Sequence, residues 1–406
     1  MRRTRIYWSA LALVASPVWA GDAVPQLGRN LPLYPAFYAE ATASVDSRDK
    51  VFDAAGKERD TAQPSLPGKT SFPEQCAEAN LIWTFPMFEA AKVPFFASRL
   101  HTARIHLGYA QTKTKGALAD FARDTSDDSR TQADSLETKS SGVSDLTLEF
   151  GSWLAGSGNW RERKDTPYAL LLLNGVTLPT GIYGRDTPAN PGRNTTSFHS
   201  QLGLYARPWA GAHLDAGAGY RVYLKNQDAA FGLLAPANQG NDFFWDVSLA
   251  QRLAPSLYVG AFADGRIGEK NAYENPRFAP NAAPPPTTTP PSDNYPRPGL
   301  YYDDGTRLTR VGASAYGFIG QRWKLGLHYA MPLSGKSGEF DLPYNNRQPA
   351  GCTVGATGCM VTDGGTVQNV DGQGPARVFA SAQFTLSLQF NFGQGDSYTC
   401  IGCRQQ

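Results

Sequence analysis

Two Gly-Lys fragments come nearest to ligand-binding equipment in this chain: "PGKT" at Pro67–Thr70 and "SGKSG" at Ser334–Gly338. A phosphate-binding loop needs a glycine five residues before its Gly-Lys pair and a helix opening after it. Gln63 and Ala330 occupy the glycine positions instead, and both fragments read as loops with no strand-to-helix context. Phosphate chemistry is set aside. The histidines are His101, His106, His199, His213 and His328, scattered without HExxH or any other metal-ligand spacing, and no GxSxG occurs. Ser197 and His199, two apart on one strand face, have the residue types of a barrel-phospholipase pair. Solvating an aqueous interior is the plainer role for them. No catalytic residue, metal or cofactor is expected, and the chain does not read as an enzyme.

The cysteines suggest structure or redox. Cys352 and Cys359 share one long connection and can close a small ring, and Cys400 and Cys403 form "CIGC" near the C-terminus. A redox CxxC opens a helix on a thioredoxin-like fold, and none is in view here. A zinc site would need two further ligands. The four are therefore disulfide candidates, with free thiols the alternative for "CIGC". Cys76 is the odd one out, and its state is open.

The remaining chemistry-bearing residues are charged side chains, and their spacing shows what holds them. In "HLDAGAGYRVY", Leu214, Ala216, Ala218, Tyr220 and Val222 alternate with His213, Asp215, Gly217, Gly219, Arg221 and Tyr223. A period of two is a strand with two unlike faces. "SDLTLEF", "FFWDVSLAQR" and "ARIHLGY" repeat the pattern. "FTLSLQFNF" at Phe384–Phe392 extends it back to Arg377, a run about twice the usual strand length in soluble domains. Long strands with one apolar and one polar face suit a closed barrel in a membrane, lipid outside and water inside.

The start of the chain agrees. Arg2, Arg3 and Arg5, an apolar core to Val18 and the Val18-Trp19-Ala20 cleavage pattern make residues 1–20 a signal peptide. After it the longest apolar run is "YALLLL", Tyr168–Leu173, far short of the roughly twenty residues of a membrane helix. A formal charge of +2 asks for no nucleic acid.

About twelve strands follow, near 35–46, 77–86, 95–111, 142–154, 167–179, 196–208, 212–225, 242–253, 256–268, 307–320, 323–333 and 376–392. Connections alternate between long stretches (47–76, 112–141, 180–195, 226–241, 269–306 and 334–375) and tight turns at "PWAG", "APS" and "GQRW". Outer-membrane barrels have long external loops and short periplasmic turns. The expected fold is all-β, a single transmembrane antiparallel barrel over 34–392 in the bacterial outer membrane of a Gram-negative cell. Its expected partners are outer-membrane lipids and lipopolysaccharide, the barrel-assembly machinery and an unidentified small solute, and it should be a monomer. Residues 21–33 are a periplasmic segment or a plug. Residues 393–406 are a tail beyond Phe392, with no physical account. Trp83, Trp153, Trp209, Trp245 and Trp323, near strand ends, are expected in interfacial girdles.

The alternation assigns the lumen. Candidates lining it are Arg104, His106, Glu149, His199, Arg207, Asp215, Arg221, Asp246, Arg252, Asp264, Arg310, His328 and Arg377, with Glu40 and Asp145 on the same face. Mixed charge there either cross-links and fills a narrow barrel or forms a selectivity ring. A barrel of about twelve strands falls between filled and open, so a narrow or gated path is expected.

Three stretches resemble a known family: "FYAEATASVDSRDKVFDAAGKERD" (Phe37–Asp60), "SGVSDLTLEF" (Ser141–Phe150) and "LLNGVTLPTGIYG" (Leu172–Gly184). They are similar to the outer-membrane family named for a MetA pathway of phenol degradation, itself related distantly to FadL-type transporters of hydrophobic compounds. The resemblance implies a barrel and passive or gated uptake of small hydrophobic or aromatic compounds. It brings no catalytic residues. The alternative is a structural or surface-binding barrel acting through its loops. An apolar lumen path beside a kinked strand would favour uptake, and a fully salt-bridged lumen the alternative.

Overall fold

The computed structural model describes residues 36–46, 50–52, 55–60, 74–86, 100–115, 137–156, 167–183, 191–226, 238–275, 299–303, 305–320, 322–337 and 378–392. In chain order the strands are β1 (Ala36–Asp46), β2 (Lys50–Phe52), β3 (Glu58–Asp60), β4 (Glu74–Pro86), β5 (Leu100–Lys115) and β6 (Glu137–Val143). Then come β7 (Leu146–Gly156), β8 (Tyr168–Leu178), β9 (Ser197–Ala206), β10 (Ala212–Tyr223), β11 (Asp242–Ala254) and β12 (Leu257–Gly268). The last are β13 (Ala272–Asn275), β14 (Gly299–Tyr302), β15 (Thr306–Ile319), β16 (Trp323–Lys336), β17 (Val378–Phe379) and β18 (Gln383–Asn391).

Each barrel strand pairs antiparallel with its neighbours, from β4 through β1, β18, β16, β15, β12, β11, β10, β9, β8 and β7 to β5, and β4–β5 pairing closes the ring. Strands β6 and β7 together occupy one place in the wall, both against β5. The result is a closed twelve-strand barrel. Its seam joins the two ends of the described chain: Tyr38 is opposite Asn391, and the Phe392 N–H donates to the Phe37 carbonyl at 2.9 Å.

Burial is inverted relative to a soluble protein. Leu202, Leu204, Phe243, Leu249, Leu325, Leu327, Phe384 and Leu388 are exposed, while Glu40, Asn80, Glu149, His199, Asp246, Asp264 and Gln389 are buried. Apolar outside and polar inside is what a strand wall in lipid requires. Trp83, Trp209 and Trp323 are exposed at the short-turn end, as interfacial residues are. Trp153 departs from the girdle expectation: it shares the interior parity of Glu149 and is fully buried.

The final strand also differs from expectation. The alternating run from Arg377 does not form one strand. Val378–Phe379 pairs with β2 in a small three-stranded sheet beside the barrel, and the wall strand begins only at Gln383. Alternation fixes which face a residue takes, but not which partner the strand finds. A second external piece, the β13–β14 hairpin, is tied down by Asp303, whose carboxylate accepts the Asn271 and Gly305 N–H groups at 2.9 Å each.

Candidate functional site

The interior face carries two ion-pair groups. On one wall Arg104 of β5 donates to Glu149 of β7, and the His199 Nε2–H of β9 donates to the other Glu149 oxygen at 2.9 Å. The Asn80 amide donates to Glu40 at 3.2 Å and the Thr42 hydroxyl to Glu78 at 3.1 Å. His106 Nε2 lies 3.9 Å from Glu78. On the other wall Arg310 reaches both oxygens of Asp264, at 2.8 and 3.2 Å, and donates to Gln383 at 2.9 Å. Each cation is matched by a carboxylate across adjacent or next-but-one strands. Pairing of this kind ties neighbouring strands of the wall together.

Beneath the first group, toward the short turns, the interior becomes apolar. Tyr38, Ile82, Leu100, Trp153, Ala169, Leu171, Leu173 and Tyr205 pack into one buried cluster. This accounts for "YALLLL": Leu170 and Leu172 face outward, and Leu171 and Leu173 face this cluster. Trp153 Nε1–H donates to the Thr102 hydroxyl at 3.3 Å, and its ring tilts against Tyr205 at 5.3 Å.

Above the group the wall is interrupted. β5 pairs with β7 up to His106–Thr147 and with β6 from Tyr109–Val143. Two β5 residues, Leu107 and Gly108, therefore face three residues, Ser144, Asp145 and Leu146. Residues 180–182 and 192–193 close on this irregularity. The Ile182 N–H donates to the Val143 carbonyl at 2.9 Å, and the Leu146 N–H to the Thr180 hydroxyl at 2.9 Å. The Asp145 carboxylate accepts the Gly181 N–H at 2.9 Å and the Arg193 N–H at 2.8 Å. Gly181 and Gly192 touch backbone to backbone, and a Cβ on either would lie 2.7–2.8 Å from the other. The Arg193 guanidinium continues to Tyr223 at 3.1 Å.

The expected lumen residues are distributed as follows. Arg104, His106, Glu149, His199, Asp215, Arg221, Asp246, Asp264, Arg310 and His328 lie at interior positions of their strands. Arg207 lies just beyond β9, in the turn before β10, and its N–H donates to the Pro167 carbonyl. Arg252 is exposed at the short-turn end of β11, where the register shifts, and so is a mouth residue. Arg377, Cys352, Cys359, Cys400, Cys403 and "PGKT" lie outside the described residues. Ser334–Lys336 of "SGKSG" ends β16 and so lies on a strand, not in a loop. His199 bonds Glu149 through Nε2. Asp145, expected in the lumen, holds the external segment instead. Cys76 is buried on β4.

Sequence reasoning missed the interior aromatic residues Tyr258, Tyr316 and Phe318. Their shared parity with Asp264 and Arg310 was the available signal.

Residues 107–275 match the family model described as "Putative MetA-pathway of phenol degradation". No curated protein matches the chain. Among solved structures, an outer membrane channel from Pseudomonas putida F1 superposes with a TM-score of 0.54 at 13% identity, covering 93% of this chain and 100% of that one. That likeness concerns the fold. A FadL homologue from Pseudomonas aeruginosa, with a TM-score of 0.37 and 10% identity over 88% of this chain and 91% of that one, is too distant to carry an argument. A closed twelve-strand wall with its apolar side outward is an outer-membrane β-barrel, and residues 107–275 of this one are similar to the MetA-pathway family model.

Proposed function

We propose that this barrel admits small hydrophobic or aromatic compounds passively through a narrow, gated lumen. The carrying observation is the apolar cluster of Tyr38, Ile82, Trp153, Leu171, Leu173 and Tyr205 on the interior face. A barrel that only needed a water-compatible, cross-linked interior would have no use for leucines there. Leu171 and Leu173 would be better replaced by polar residues hydrogen-bonding across the strands. That the matched family is named for phenol degradation and that the Pseudomonas putida F1 structure is an outer membrane channel both support this reading.

The second reading is a structural or surface-binding barrel without transport. The buried pairs Arg104–Glu149 and Arg310–Asp264 favour it, because they cross-link the interior. Liposome swelling or single-channel recording separates the two, using the mature chain and a form lacking Gly21–Leu33, the segment proposed as a plug. Under the transport reading the intact or truncated form admits small apolar solutes, and more so when truncated if the segment is the plug. If neither form admits any solute, and loss of the gene leaves uptake of aromatic compounds unchanged, the surface-binding reading replaces it.

A further inference from the structure

We propose that Arg307 and Lys336 form an outward-facing cationic site, at the external end of β15 and β16, for a phosphate on the lipid anchor of lipopolysaccharide. The inference is independent of what the lumen conducts.

The site follows from register. Arg307 and Lys336 are partners across β15 and β16, and the pair below them is Thr309 with Ser334. Arg310 is buried in the lumen beside Asp264, so Thr309 and Arg307, of opposite parity, take the lipid side. A bulge in β16 brings Lys336 to the same side. Leu333 is the extra residue, passed over between the pairs Thr309–Ser334 and Arg310–Pro332. Without it the alternation from Met331 would carry Gly335 outward and Lys336 inward. With it Gly335 turns inward against Phe52, where a Cβ would lie 2.1 Å from the ring, and Lys336 stands beside Arg307. Re-aiming side chains is what a bulge does.

Like charges directly opposite one another destabilise a strand pair, and an anion between them removes the cost. Arg307 is exposed, and among the described residues its guanidinium has no hydrogen-bond or ion-pair partner. Lys336 is half-buried and has a further interaction of its own, so Arg307 is the open donor and Lys336 adds to the field around it. Ser334 is exposed and Thr309 half-buried, and their hydroxyls can donate to the same anion. Glu269, the carboxylate that follows β12 on this face, is turned away and accepts the Tyr220 hydroxyl of β10 at 2.7 Å. The apolar wall below selects a lipid. Ile267, the partner of Arg307 on β12, is 45% exposed, and Met331 and Leu333 are 46% and 66% exposed. A guanidinium matches two phosphate oxygens at once, while the wall beneath it meets acyl chains. A free phosphate would use the cations alone, and a neutral lipid the wall alone. A phosphorylated lipid anchor uses both.

The test uses the full mature barrel in detergent, with deep-rough lipopolysaccharide, the same lipid with its phosphates removed, and inorganic phosphate as probes. Native mass spectrometry measures bound lipid, and heat-modifiable gel mobility checks that each variant folds. The phosphorylated lipid is expected to bind more tightly than the dephosphorylated one. A cation beside an anionic headgroup is worth about fivefold in affinity, so Arg307→Gln should weaken binding of the phosphorylated lipid by about that factor. Arg307→Gln with Lys336→Gln should weaken it further, and neither change should move the affinity for the dephosphorylated lipid. Arg307→Lys, which keeps the charge without the fork, should fall between wild type and Arg307→Gln. Arg322 is exposed in the short turn before β16, at the opposite end of the wall, and Arg322→Gln should bind as wild type. Equal binding of the two lipids, or an affinity unmoved in folded Arg307→Gln, would overturn the site. An equal loss in Arg322→Gln would reduce the effect to net charge and overturn it as well. Displacement of the lipid by inorganic phosphate at equal concentration would show a bare anion site and end the lipid assignment.

Discussion

His199 and Glu149 meet across a strand that lies between them. Glu149 of β7 is in register with Gly175 of β8, and Gly175 with His199 of β9. The imidazole reaches the carboxylate at 2.9 Å over a position without a side chain. A Cβ at Gly175 would lie 2.3 Å from the His199 ring and 2.8 Å from Glu149. The glycine is what lets three strands share one buried polar group.

Gly175→Val should therefore part His199 from Glu149. Overpacking at a tight site costs about 1–3 kcal/mol. Urea unfolding in detergent measures the loss, and the His199 imidazole resonance by NMR reports the lost bond. Wild-type stability with an unshifted resonance would show that the crossing is not tight.

In the Arg104–Glu149 pair the carboxylate is buried and the guanidinium side chain is 12% exposed. Removing one partner of a buried pair leaves an uncompensated charge and costs roughly 3–5 kcal/mol, whereas replacing both with apolar residues is often neutral. Glu149→Leu alone should destabilise by that order, and Arg104→Met with Glu149→Leu should recover most of it. If the double variant is as unstable as the single, the remaining His199 and Glu40 interactions matter more than the pair.

Much of this architecture was legible in the sequence. The alternation over Ala212–Tyr223 located β10 within two residues at its far end, because lipid and water impose opposite demands on neighbouring positions. What was not legible depends on register between strands. Glu149, Gly175 and His199 lie on three strands, and nothing local to any of them announces the crossing. Trp153 read as a girdle residue because it lies near a strand end, yet its parity with Glu149 places it inside. Val378–Phe379 continued an alternation broken only at Phe379 and still left the wall, since β2 offered a partner outside it. Asp145 has interior parity, but the extra residue opposite Leu107–Gly108 frees its carboxylate for Gly181 and Arg193.

Neighbouring residues of β10 test the two faces. Ala216 is level with Leu204 and Val247 on the lipid side, and Gly217 with Asp246 on the interior side. Ala216→Arg should lose roughly 2–4 kcal/mol if near the midplane. Gly217→Arg should lose less, with Gly217→Ser as the control for crowding. Refolding yield into vesicles and urea midpoints measure both. Equal losses at Ala216→Arg and Gly217→Ser would refute the face assignment.

The last prediction concerns the closure of the wall. Asp145 is buried and holds Gly181 and Arg193 by two backbone hydrogen bonds, while Thr180 holds Leu146 by one. A hydrogen bond to a charged group contributes about 1.5–3 kcal/mol, so Asp145 is the stronger of the two fastenings. Asp145→Ala should loosen the hold on Gly181 and Arg193 without unfolding the barrel, because the β5–β7 and β7–β8 ladders lie below them. Limited proteolysis should then cut within 180–193 faster than in the wild type. If the irregularity is the gate, vesicles carrying this variant should admit small apolar solutes faster too. Asp145→Asn keeps one acceptor oxygen and should fall between the two. Thr180→Val removes only the weaker fastening and should behave nearly as wild type. Faster cleavage with unchanged permeation would show that the clasp fastens a loop and that solutes take another route. Unchanged cleavage would mean that the neighbouring bonds hold the segment without Asp145.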